Sequence, residues 1–154
     1  MPKTLELAQD FKKRYPATVS WRLKRHSRLI DNNLHRNEEV FYAFGAQWNH
    51  KFDMFDTAVF AITNERMIVA QQRVITGYQV ISIDPRLFND IKIDGKIFWG
   101  SLKIDTVKEI IDFSNISKKS LFEIKKVITS YVGSKKRAKP ELEEDLRVLQ
   151  NEKR

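Results

Sequence analysis

The sequence contains no cysteine. Disulfides, thiolate nucleophiles and cysteine-based zinc sites are thereby excluded, and the lack suits a reducing cytosol. Glycine is scarce, with five residues at positions 45, 77, 95, 100 and 133, all isolated. No glycine-rich phosphate loop and no Gly-x-Ser-x-Gly elbow can be built from them. His26, His35 and His50 are the only histidines. They lack the His-x-x-x-His spacing of a helical zinc pair and read as surface imidazoles. Long apolar runs are missing too. The longest uncharged stretch, Val40 to His50, has eleven residues, against the roughly 20 that a membrane-spanning helix needs. The first residues carry no apolar signal-peptide core, and Pro2 stands where myristoylation needs glycine.

What remains is a folded chain with basic ends. Ten Phe and a 42% hydrophobic fraction suit one domain with flanks, large enough to bury a core unaided. The net charge of +8 is unevenly spread. Residues 1–36 hold nine Lys/Arg against three Asp/Glu, residues 37–116 eight against eleven, and residues 117–154 eleven against six. Basic ends either attract polyanions at long range or simply solvate helical faces. The Lys, Ile and Asn richness suits an AT-rich bacterial or phage genome.

Along the chain, Thr4 is placed to cap a helix to about Tyr15, which Pro16 ends. A second helix is expected from about Pro16 or Ala17 to Ile30, with Arg22, Lys24, Arg25 and Arg28 outward. Six or seven short strands follow. Val40–Phe44 is aromatic and β-prone, Thr57–Ile62 reads as a strand buried on both faces, and Thr63–Arg66 turns the chain into Met67–Ala70. Further strands are expected at Tyr78–Ile83, Ile91–Ile93, Lys96–Ile104 and Val107–Phe113, with Asp94-Gly95 as a type I′ hairpin turn and Gly100 as a bulge. Ser117 to Val132 forms an amphipathic helix whose stripe of Leu121, Phe122, Ile124, Val127, Ile128, Tyr131 and Val132 plugs an open barrel end, with Gly133 as its stop. Beyond it, Pro140 can start a short helix with Leu142, Leu146 and Leu149 on one side. The fold expected is mainly β with helices (α+β).

Asp84 followed by Asp94-Gly95-Lys96 mimics a metal-dependent nuclease pattern. A turn at Gly95 makes the Asp94 and Lys96 side chains diverge, so no catalytic residue, metal or cofactor is expected.

The stretch Ala58-Val59-Phe60-Ala61-Ile62-Thr63-Asn64-Glu65-Arg66-Met67-Ile68-Val69 resembles the strand–TN-x-R–strand signature of short bacterial pleckstrin-homology-like (PH-like) domains, the YokE-like group. The lead-in Asn37-Glu38-Glu39-Val40, the segment 77–83 and the segment 97–104 correspond as well. The resemblance covers residues 38–132, leaving 1–37 as a basic helical leader and 133–154 as a basic tail. It implies a PH-like barrel of six to seven antiparallel strands capped by a C-terminal helix, in a module for interaction or assembly. The first hairpin loop departs from the phosphoinositide-binding pattern, since Trp48–Asp56 holds one Lys and two Asp.

The function expected is therefore a non-enzymatic, cytoplasmic module that binds a protein partner or self-associates. Trp48, Phe52, Met54 and Phe55 are the candidate contacts, unless they fold back into the barrel. The alternative is electrostatic binding of nucleic acid or an anionic membrane through Arg22, Lys24, Arg25, Arg28, Lys135, Lys136, Arg137 and Lys139. No small-molecule substrate is expected.

Overall fold

A computed structural model describes residues 2–49, 56–73 and 77–152, and the side chains among them except at 138–147 and 150–152. Seven strands, β1 (Val40–Trp48), β2 (Thr57–Thr63), β3 (Met67–Gln72), β4 (Tyr78–Ile83), β5 (Phe88–Gly95), β6 (Trp99–Thr106) and β7 (Ile110–Ser117), form one antiparallel sheet. Its order is β4-β3-β2-β1-β7-β6-β5, curled into a half-barrel with β4 and β5 as its edges. A 3₁₀ turn at Pro85–Leu87 links those edges, its start capped by the Asp84 carboxylate accepting from Arg86 N–H.

β2 is buried at every residue, as its unbroken apolar sequence predicts. Its alternation feeds two cores. Ala58, Phe60 and Ile62 point into the barrel with Phe44, Phe113 and Leu102. Val59 and Ala61 face outward with Ala43, Ile68 and Ala70. The small residues on that outer face let α1 (Lys3–Arg14) and α2 (Leu23–Asn33) lie against the sheet. Gly45 permits the closest approach, since a Cβ there would lie 2.3 Å from Leu23 Cδ2.

The inner core is closed by α3 (Leu121–Glu152), through Leu121, Ile124, Ile128, Tyr131 and Val132. Phe122, expected in that stripe, stands 79% exposed. Gly133 does not end the helix, which runs on through Pro140, so the tail helix continues α3. Gly133 lacks the positive φ of a helix stop, and a Cβ there would meet only Arg137 Nη1, in ordinary contact at 3.8 Å.

Two N-terminal expectations also change. Thr4 lies inside α1 and spends its hydroxyl on Asp31 of α2 at 2.6 Å. α2 starts at Leu23 rather than at residue 16 or 17. The segment before it is pinned to the sheet instead: Val19 N–H donates to Asn115 O at 2.9 Å and Ser117 N–H to Thr18 Oγ1 at 2.9 Å. β-Branched Thr18 and Val19 favour that extended backbone over a helix.

Candidate functional site

The Asp94-Gly95 pair does not form the hairpin turn. Gly95 is the last residue of β5, opposite Gly100, and the turn comprises Lys96–Trp99, closed by Lys96 N–H to Trp99 O at 2.8 Å. Gly100 serves close packing, whereas a Cβ on Gly95 would make ordinary contacts at 3.4–3.5 Å with Lys118 and Leu121. A Cβ on Gly100 would lie 2.5 Å from Asp94 O and from Leu121 Cδ1. The ladder shifts register at Gly100, where the sequence predicts a bulge.

This geometry lifts three consecutive apolar residues out of the fold. Ile97 is 81% exposed and Phe98 67% exposed. The tip is held firmly: Lys118 N–H donates to Phe98 O at 3.0 Å, and Trp99 Nε1–H to Ala17 O at 2.6 Å. Exposed Phe122 lies four residues beyond Lys118, on the helix that starts at the base of this hairpin. Sequence reasoning misses the tip by assigning these side chains to a strand. The signal that could have found it is three apolar residues in succession between two glycines, with no alternation.

Of the contacts expected in the first hairpin, Trp48 is 1% exposed and part of the inner core. Phe52, Met54 and Phe55 lie outside the described residues. Lys24, Arg25 and Arg28 are exposed on α2, while Arg22 donates to the carbonyl oxygens of Gln72, at 2.7 Å, and Arg73. Lys135 Nζ donates to Asn64 O and Lys136 Nζ to Phe88 O at 2.6 Å. Arg137 is exposed, and the Lys139 side chain lies outside the described set. The Asp84 carboxylate grips Arg86, whereas Asp94 stands at the far end of β5, about 20 Å on at roughly 3.3 Å per residue. The nuclease-like residues therefore do not converge.

A cleft of about 550 Å³ opens between the β2–β3 turn, the 3₁₀ turn and α3, lined by His35, Glu65, Arg66, Asp84, Arg86 and Lys108 among others. His35, Glu38 and Glu65 offer ligand atoms within 4.8 Å of one another, the one such group among the described residues. Its chemistry opposes a cation. Glu38 Oε2 accepts from Arg66 Nε at 2.9 Å and from Thr63 Oγ1 at 2.6 Å. Its Oε1 accepts from Arg66 Nη2 at 3.0 Å and from the His35 N–H at 2.9 Å. Burial would raise the Glu38 pKa, but these donors, Arg66 above all, overcome it and hold the carboxyl down at about 2. A guanidinium already neutralises the one buried ligand.

His26 is fully buried rather than a surface imidazole. It sits on the α2 face shared with Leu23 and Ile30, a spacing visible in the sequence. Gln72 N–H donates to its Nδ1 at 2.9 Å, which places the ring proton on Nε2, 3.3 Å from Thr57 Oγ1. The Thr57 hydroxyl donates in turn to Trp21 O at 2.8 Å. Burial, then the neighbouring Arg22, lowers the His26 pKa to about 4. The unfolded chain binds the proton below about 6.5 and the folded chain only near 4, so stability is lost as pH falls between those values. Urea unfolding from pH 7 to pH 4 is expected to show a loss approaching about 3 kcal/mol, largely absent in His26→Gln. Equal slopes in both proteins would show that His26 does not set the acid sensitivity.

Known proteins share this architecture. The family model for the bacterial PH domain matches residues 34–130. A DUF1696 family protein with a pleckstrin-homology domain from Shewanella loihica PV-4 is similar at 15% identity, with 74% of this chain and 96% of that chain covered and a TM-score of 0.50. A pleckstrin homology domain from Shewanella amazonensis SB2B is similar at 16% identity, covering 73% of this chain and 89% of that one, at a TM-score of 0.47. No curated protein matches the chain. With seven strands curled around a helix-closed core and a family match over well above half its length, the chain belongs to the bacterial PH domain family.

Proposed function

We propose that this chain is a non-enzymatic interaction module that engages a protein partner, or a second copy of itself, through its apolar end. The observation that carries this reading is the β5–β6 tip, where Ile97 and Phe98 are exposed on a backbone fixed at Lys96 and Phe98. A folded domain does not hold two large apolar side chains in water for its own stability, and a fixed tip loses little entropy on docking. Phe122 extends the apolar character on α3. Lys96, Lys118 and Lys119 are exposed around it and give a polar rim. Among the described residues, no helix is long and apolar enough to cross a membrane.

The test combines light scattering at low and high salt with pull-down from a lysate of the source organism. The native chain is expected to self-associate or capture a defined protein in a salt-resistant manner. Ile97→Ser with Phe98→Ser is expected to abolish this while leaving the melting temperature within a few degrees. Undiminished association in the double variant would refute the reading.

A further inference from the structure

We propose that the outward face of α2 binds nucleic acid through its phosphate backbone. Lys24, Arg25 and Arg28 are exposed there, within one helical turn that spans about 6 Å at about 1.5 Å per residue. Arg25 and Arg28 line a shallow recess with Leu29, Asn32 and Gln72. Among the described residues, no ion pair holds any of the three cations. The one acid on α2, Asp31, is engaged by Thr4 of α1. Cations without carboxylate partners repel one another, and a polyanion relieves that repulsion by giving up its counterions.

Three other basic side chains of the flanks are engaged by backbone carbonyls. Arg22 braces α2 against β3 by donating to two backbone carbonyls. Lys135 and Lys136 are committed in the same way to Asn64 and Phe88. The polyanion site is therefore placed on α2, whose three exposed cations share one face. The rest of the helix favours a hydrated phosphodiester over a bilayer. Ile30 is buried, and Leu23 and Leu29 pack against the outer core, so this face has no apolar stripe to insert among lipids. Asn32 adds an amide next to the two arginines. Trp21, 42% exposed just before the helix, offers one ring for base stacking.

The experiment is fluorescence anisotropy of a labelled 20-nucleotide single strand with the full chain, from about 50 to 300 mM salt. Three phosphate contacts predict that log affinity falls against log salt with a slope near −2, at about −0.7 per contact. Lys24→Glu, Arg25→Glu and Arg28→Glu together are expected to weaken binding at least tenfold and flatten the slope. Lys103→Glu, Lys125→Glu and Lys126→Glu change net charge equally at exposed positions elsewhere, and are expected to weaken it far less. Equal losses in the two triple variants would reduce the effect to net charge and overturn the site. So would no binding tighter than about 100 µM at the lowest salt, or binding to anionic vesicles with none to the oligonucleotide.

Discussion

Arg66→Ala is expected to lower the unfolding free energy by about 3–5 kcal/mol at pH 7, the cost of stranding a buried charge. The Glu38 side chain is fully buried, and Arg66 grips both its oxygens. Removing the guanidinium also frees the Asn33 carbonyl, its acceptor at 2.7 Å, and the Ser82 hydroxyl at 3.1 Å. Arg66→Lys keeps the charge but cannot span the carboxylate, so it is expected to fall between Ala and the native residue. The pH dependence sharpens the test. In the native chain the Glu38 contribution is complete above the ordinary carboxylate range and is lost as pH falls toward about 2. Without Arg66 the buried carboxyl takes up a proton more readily, so the Ala penalty is expected to shrink between pH 7 and pH 5. Urea midpoints at both values measure it. A loss under about 1 kcal/mol at pH 7 would show that water or another cation replaces Arg66.

The same residues explain why the family is legible in the sequence. Thr63 Oγ1 accepts from the Glu65 and Arg66 N–H groups at 3.1 and 3.0 Å, forming the β2–β3 turn. Asn64 Oδ1 accepts from Glu39 N–H at 2.8 Å, and Asn64 Nδ2 donates to Asn37 O at 3.2 Å. Asn37 itself takes a positive φ of 65°, which Asn tolerates well. The TN-x-R turn and the Asn37-Glu38-Glu39 lead-in thus form one clasp, and each sequence signal is the chemistry of a specific hydrogen bond. The signature reports the fold and assigns no ligand.

Elsewhere local signals compete with tertiary packing. Asp-Gly is a strong hairpin signal, but the approach of Leu121 selects glycine for space at Gly100, Gly95 stays in the ladder opposite it, and the turn is centred three residues further on. That displacement exposes Ile97 and Phe98, which the strand expected over Lys96–Ile104 would place on opposite faces of the sheet. The charges of neighbouring Arg25 and Arg28 argue for a surface His26, yet the helix phase separates them. Residues 26 and 27 face inward with 30, while 24, 25 and 28 face out. The charge layout is legible because solvated Lys and Arg positions follow directly from that phase. Which of them are spent on backbone carbonyls depends on contacts 48 to 71 residues apart for Lys136 and Lys135, beyond local pattern.

Phe11→Ala is expected to cost about 3–5 kcal/mol, as for a fully buried aromatic. Phe11 is 1% exposed, with ring centroids 5.2 Å from Phe44 and 6.3 Å from Tyr42. It belongs to the inner cluster that includes Phe60 and Phe113, although it comes from α1, well before the family-matched region. At the carboxyl end of α1, Arg14 pairs with Glu123 of α3 at 2.5 Å, and Glu123 accepts from the Tyr42 hydroxyl at 3.1 Å. The leader is therefore part of the folding unit by contact, whatever the extent of the family pattern. Lys13→Ala, exposed on the same helix, is expected to change stability by under about 0.5 kcal/mol. At roughly 2–4 °C per kcal/mol for a chain of this size, Phe11→Ala lowers the melting temperature by about 6–20 °C. A chain begun at residue 38 loses Phe11 and the cover over Ala43, Val59 and Ile68, and is expected to bind hydrophobic dyes and aggregate. If that shortened chain instead melts cooperatively near the full-length temperature, α1 and α2 are accessories, and Phe11→Ala costs well below about 3 kcal/mol.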